Sequence, residues 1–161
     1  MKRRITGGGS RSITRAAFAA LVAMTSPAHA IFAVTEPWVR ADANGQTAEA
    51  FMKVRSTDAA ALVGVDSFAA RSVTIRTGAD KSAAAKLDLP ANVIVELKPN
   101  ETRIRLTGLV RRLKMGEYVP LTLSVRTANG NEQKHFINAE VRRRSPTEDE
   151  AQPHGHHSHK H

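Results

Sequence analysis

The stretch VPLTLSVRTANGNEQKHFI, residues 119–137, is the clearest indication of the fold class. Between Val119 and Val125 an apolar side chain occupies every second position, which is the period of a half-buried β-strand. A second strand pattern covers residues 134–137, and Asn129-Gly130 lies between the two. An Asn-Gly step between two strand patterns is a strong signal for a tight hairpin. The stretch therefore predicts two antiparallel neighbours.

Similar alternation continues through the chain before this hairpin. Further strands are predicted at residues 51–55, 72–76, 92–97 and 103–107, with turn signals such as Asn44-Gly45, Thr77-Gly78 and Pro99-Asn100 between them. Short strands at this spacing predict an all-β domain, an antiparallel sandwich or barrel. Residues 59–62 and 81–87 are expected to form only brief helical turns.

Residues 1–30 have the pattern of a secretory signal. A basic start without acids precedes an apolar run over residues 16–24, and Ala28 and Ala30 form a small-x-small end. The alternative is a membrane anchor, but nine apolar residues are well short of the roughly 20 that span a bilayer. We expect cleavage near Ala30, export to the periplasm and no membrane span.

Removal of this segment changes the charge argument. The 161 residues carry 24 basic and 15 acidic side chains, but five of the basic ones and no acid lie in residues 1–30. The exported chain thus has 19 basic and 15 acidic residues, a formal balance of +4, and no nucleic-acid partner is expected. The absence of cysteine excludes disulfides, thiolate metal sites and a cysteine nucleophile. No hydrolase, zinc-protease or phosphate-loop motif is present, so the chain is not predicted to be an enzyme.

The C-terminal segment, residues 145–161, is predicted to be a disordered tail, because it is acidic, then histidine-rich, and has almost nothing to bury. Neutral imidazole is a good ligand for Cu(II), Ni(II) and Zn(II), and Cu(II) binds most tightly in the general order. The alternatives are a solubilising tail or part of a purification tag. Five candidate metal ligands lie in the final eight residues: His154, His156, His157, His159 and His161.

The body, residues 31–144, resembles the PCu(A)C family of periplasmic copper chaperones over roughly residues 34–142. The resemblance rests on PWVRA at 37–41, AFMKVRST at 50–57, SVTI at 72–75, VELKP at 95–99, LTGL at 106–109 and GEYVPLTL at 116–123. It implies a cupredoxin-like Greek-key fold and a copper-related function.

The copper ligands of that family do not carry over. Members hold Cu(I) with two histidines and two methionines. By the resemblance, the first histidine falls at Arg76, a methionine near Lys81, and a His-x-Met pair at Arg103 and Arg105. Arginine stays protonated and has no lone pair for a metal. We expect the body to lack the usual copper site.

These four positions, the basic edge, have three interpretations. They form a solvated sheet face, or they dock an acidic partner or anionic ligand, since arginine suits carboxylate and phosphate. Alternatively, Glu148-Asp149-Glu150 of the tail folds back onto them.

The function expected from the sequence is that of a periplasmic copper-binding, chaperone-like protein. It would bind Cu(II) rather than Cu(I) through its histidine tail, and Zn or Ni in vitro, and it would buffer the ion or pass it to an acceptor of the oxidase-assembly type. The alternative is a module without metal that recruits an acidic partner through the basic edge.

Overall fold

The computed structural model describes residues 30–78 and 82–146. The predicted signal, Lys81 and the tail histidines lie outside these residues. The described chain forms ten strands: β1 (Phe32–Ala41), β2 (Thr47–Ser56), β3 (Ala60–Asp66), β4 (Ala70–Thr77), β5 (Ser82–Ala84), β6 (Leu87–Leu89), β7 (Ile94–Leu97), β8 (Arg103–Leu109), β9 (Tyr118–Thr127) and β10 (Glu132–Val141). The predicted all-β class is confirmed.

All ten strands belong to one sheet. Its order is β5-β4-β8-β2-β1-β10-β9-β3-β6, and β7 pairs with the second half of β2, beyond the part that pairs with β8. The neighbours are antiparallel except for β1 and β10, which run parallel. The sheet curls around one core, to which both of its halves contribute, from Val39, Ala50 and Ile104 to Leu62 and Leu123.

The hairpin between β9 and β10 forms where the Asn-Gly step predicts it. The amide of Thr127 donates to the carbonyl of Asn131, and that of Gly130 donates back to Thr127. Gly130 has a φ of 87°, a left-handed conformation that costs glycine little. The loop therefore has three residues, 128–130, and ends in a bulge, which is a common alternative to the two-residue turn.

The two expected helical turns are wrong. Residues 60–66 are strand β3, paired with β9 and β6, and strands β5 and β6 cover most of the described residues in 82–89. Alanine favours helix in isolation, but pairing with neighbouring strands and burial of Leu62 and Leu89 outweigh that local preference.

A bulge in β1 decides which side chains lie on the outer face of the sheet. The register with β2 shifts between Thr35 and Trp38, where β1 contains one extra residue. Glu36 within it has a φ of 52°, and its carboxylate lies 2.8 Å from the ammonium of Lys53. Because side chains alternate along a strand, the extra residue turns Trp38 from the core face to the outer face.

Candidate functional site: a buried arginine–glutamate cluster

One row of paired residues crosses four strands on the outer face of the sheet. Arg40 on β1 lies opposite Glu49 on β2, Glu49 lies opposite Arg105 on β8, and Arg105 lies opposite Thr74 on β4. Directly paired residues project from the same face of a sheet. The pairing therefore gathers charged side chains that lie far apart in the sequence.

Glu49 is the centre of this row. Its Oε1 accepts hydrogen bonds from Arg103 Nε at 2.9 Å and Arg105 Nη1 at 3.3 Å, and its Oε2 accepts one from Arg40 Nη2 at 3.2 Å. Arg105 Nη2 also lies 3.3 Å from the carboxylate of Asp42. We call these five residues the Glu49 cluster.

The most buried member of the Glu49 cluster is Arg103. Its side chain is only 3% exposed, and that of Glu49 is 12% exposed. Besides Glu49, Arg103 binds the carbonyl of Glu101, 2.7 Å from its Nη1. A buried ion pair persists only when hydrogen bonds satisfy both partners, and these contacts provide them.

Two aromatic side chains cover the cluster on one side. Trp38 and Phe51, opposite each other on β1 and β2, have ring centroids 4.5 Å apart and are almost fully buried, although they lie outside the main core. The guanidinium of Arg40 lies 5.4 Å from the centre of the Phe51 ring. The rings exclude water from one flank of the cluster, which strengthens the attraction between its charges.

The structure brings together three of the four positions of the basic edge. Arg76 on β4 lies directly opposite Arg103 on β8, and Arg105 projects from the same face two residues later. Lys81 lies outside the described residues. These arginines are not at an edge of the sheet, since β8 lies between β4 and β2, and Arg103 and Arg105 share a carboxylate.

Sequence reasoning missed Glu49. The available signal was its place as the single charged residue in the run AEAFM, residues 48–52. A lone carboxylate among residues that are buried on both faces needs a cationic partner. Its partners come from positions 9, 54 and 56 residues away, so the sequence alone could not identify them.

The chemistry of this site does not suit a copper ion. Three of its five side chains are guanidinium groups, which have no lone pair to offer a metal, and its two carboxylates already accept hydrogen bonds from those arginines. Among residues 30–78 and 82–146, no group of three or more His, Asp or Glu side chains is arranged to hold a metal ion. Met52 is buried in the core, and Met115 is exposed in a separate loop.

His135 is a half-buried histidine away from the cluster. Its ring centroid is 4.6 Å from that of Phe32, and its Nε2 is buried without a hydrogen-bond partner in the described chain. Burial lowers the pKa of His135 below its ordinary value. It is therefore a neutral packing residue in the fold, as its isolated place in a strand pattern predicts.

This environment predicts a pH-dependent loss of stability. Because the folded chain protonates His135 less readily than the unfolded chain, the free energy of unfolding should fall as pH decreases from the unfolded pKa of about 6.5 towards the lower folded pKa. Urea unfolding at pH 7.5 and pH 5.5 would measure the fall, and His135→Leu should reduce it. Equal falls in the two proteins would contradict the assignment.

A family model described as "Putative lipoprotein LpqE-like" matches residues 32–134. No curated protein matches the chain in sequence. The term lipoprotein in that description applies to the family.

Solved structures share the fold. The apo PCuAC domain from PmoF1 has a TM-score of 0.60 at 23% identity, covering 69% of this chain and 92% of that one. The copper-bound PCuAC domain from PmoF2 has a TM-score of 0.58 at 23% identity, covering 71% and 97%. CuI-DR1885 from Deinococcus radiodurans has a TM-score of 0.52 at 23% identity, covering 74% and 81%. The resemblance to PCu(A)C domains predicted from the sequence is confirmed.

The described residues contain no helix with the length and apolar character needed to cross a bilayer.

Proposed function

This chain belongs to the LpqE-like family, and from that membership and its PCuAC fold we propose that it is an exported, periplasmic copper-binding protein. Copper is its cargo, and the C-terminal histidines rather than the β-domain hold the ion. The similar structures include a copper-bound domain and a Cu(I) form, which supports a copper-related role here.

The Glu49 cluster is the main support for the proposal that the β-domain does not hold the copper ion. By the resemblance to PCu(A)C proteins, the copper-ligand positions include Arg76, Arg103 and Arg105. Of these, Arg103 and Arg105 donate hydrogen bonds to Glu49 over 2.9 and 3.3 Å. A copper ion at that place would meet positive charge and would have to displace buried ion pairs. No step of copper transfer is therefore assigned to the β-domain.

The tail supplies the missing ligands. Five imidazoles in eight residues give a high local concentration of nitrogen donors. The same eight residues contain no sulfur ligand, which Cu(I) would prefer. These donors fit Cu(II) first and accept Zn(II) or Ni(II) in vitro. An acceptor protein with more or softer ligands, of the oxidase-assembly type, would take the ion by ligand exchange.

The alternative function, docking of an acidic partner on the basic edge, has less support. Arg103 is almost fully buried, and Asp42 and Glu49 already provide carboxylates for Arg105. No enzymatic role is proposed.

Truncation of the tail tests the proposed function. Isothermal titration with Cu(II) and Zn(II), at neutral pH, would compare the exported chain with a chain that ends at Arg144. We expect Cu(II) binding to fall to near zero in the shorter chain, and binding by the longer chain to be lost near pH 5 as the imidazoles protonate. Replacing Glu148, Asp149 and Glu150 with glutamine is the matched control and should retain copper. Tight stoichiometric binding by the shorter chain would refute the proposal.

A further inference from the structure

We propose that the protein pairs with a second copy of itself through a groove between Phe68 and Phe136. The groove has a volume of about 450 Å³ and lies where the turn between β3 and β4 approaches the faces of β9 and β10. We call it the phenyl groove. Its lining includes Asp66, Phe68, Arg71, Pro120, Phe136 and Ile137.

Two bare aromatic rings flank the phenyl groove. Phe68, in the turn after β3, is 92% exposed, and Phe136, in β10, is 79% exposed. Single exposed apolar residues are ordinary on protein surfaces, but two phenyl rings on one concave site are typical of interfaces. The cost of exposing them to water would be relieved if a partner covered both.

The phenyl groove also contains one acid and one base. Asp66 lies in the same row of paired residues as Thr122 and Phe136, and Arg71 is the second residue of β4, on the opposite side of the turn. Both are exposed, and neither forms an ion pair within residues 30–78 and 82–146.

The side chain of Arg71 lies against the backbone of Gly108. A Cβ atom at Gly108 would lie 3.3 Å from Arg71 Cβ and Cδ, closer than most such contacts. The absence of a side chain at Gly108 thus leaves room for the aliphatic part of the Arg71 side chain beside the groove.

This combination favours a copy of the same chain over an unrelated partner. A twofold interface uses one patch on both molecules, so that patch must contain both halves of every contact. The phenyl groove offers a protruding ring beside a hollow, and an acid beside a base. In a twofold pair, the ring of Phe68 enters the hollow of its partner, and Asp66 faces Arg71 of its partner.

Sedimentation equilibrium of the exported chain tests the apolar part of this interface. We expect a concentration-dependent dimer, and expect Phe68→Ser and Phe136→Ser each to raise the dissociation constant by about tenfold or more, as for interface anchors. Ile94→Ser, which removes a similarly apolar side chain that is 62% exposed on β7, should change nothing. A chain that is monomeric at every concentration, or a dimer that neither phenylalanine affects, would overturn the proposal.

Charge reversal tests the polar part and the twofold arrangement. Asp66→Arg alone, or Arg71→Asp alone, should weaken the dimer by placing like charges opposite each other. The double variant should restore it. Failure of the double variant to recover, with both single variants weakened, would overturn the twofold arrangement. Capture of an apolar peptide by a monomeric chain would likewise contradict self-association. None of these outcomes depends on copper, so the result is independent of the proposed function.

Discussion

Replacing Glu49 with glutamine is expected to lower the free energy of unfolding by about 3–5 kcal/mol, the usual cost of removing one partner from a buried ion pair. The carboxylate of Glu49 accepts hydrogen bonds from Arg40, Arg103 and Arg105. A neutral amide would leave these guanidinium groups close together without their shared counter-charge. Arg103 suffers most, because its side chain is only 3% exposed and water cannot replace the lost contact.

Urea unfolding followed by circular dichroism at pH 7 would measure this loss. The matched control is Glu132→Gln, which removes the carboxylate of an ion pair with Arg126 whose side chains are 43% and 54% exposed. That change should cost less than about 1 kcal/mol.

A double variant separates the ion pair from simple loss of packing. Arg103→Met combined with Glu49→Gln should cost less than the sum of the two single changes, because the second change no longer strands a buried charge. A loss below about 1 kcal/mol for Glu49→Gln would mean that the cluster does not stabilise the fold.

The second large effect is the gain of a Cu(I) site in the β-domain. A chain ending at Arg144 with Arg76→His, Arg103→His, Arg105→Met and Lys81→Met is expected to bind one Cu(I), where the unaltered chain of that length binds none. Arg76 and Arg103 lie directly opposite each other on β4 and β8, and position 105 projects from the same face. Imidazole nitrogen and thioether sulfur would replace cations there, and soft ligands favour Cu(I).

This variant should also contain Glu49→Gln, since Glu49 would otherwise be left with Arg40 alone. Competition with a Cu(I) indicator dye would measure binding, and circular dichroism would check that the sheet is intact. A folded chain with two new histidines and two new methionines elsewhere, at Arg111, Arg126, Lys134 and Lys98, is the control and should not bind stoichiometrically. If the variant with ligands at positions 76, 81, 103 and 105 folded but did not bind Cu(I), the proposed correspondence of these positions with the PCu(A)C ligands would be incorrect.

Local patterns predicted most of the fold. Alternation in residues 119–125 and the Asn129-Gly130 step predicted β9, β10 and their hairpin, because strand period and turn chemistry depend on neighbouring residues. The prediction of helical turns in the Ala-rich segments 59–62 and 81–87 was wrong, because the strands formed there depend on pairing with other strands. The parallel contact of β1 with β10 has no local signal.

The candidate site was predicted only in part. The resemblance to PCu(A)C proteins predicted that arginines occupy ligand positions, and the structure places three of them, Arg76, Arg103 and Arg105, close together. The sequence did not predict Glu49 at their centre. It also gave no indication that the bulge at Glu36 turns Trp38 over the cluster, because a one-residue slip in register changes the face of every residue that follows.

The chemistry available to the protein follows from its sequence alone: strand patterns rather than long helical ones, no thiol, arginines at positions 76, 103 and 105, and imidazoles near the carboxyl terminus. The folded chain alone reveals that Arg103 and Arg105 are paired with the carboxylates of Glu49 and Asp42. Whether an arginine is solvated or buried against a carboxylate depends on which strands are neighbours and in what register. Thr47 and Thr107, which pair between β2 and β8, are 60 positions apart, and a local sequence pattern does not specify such a pairing.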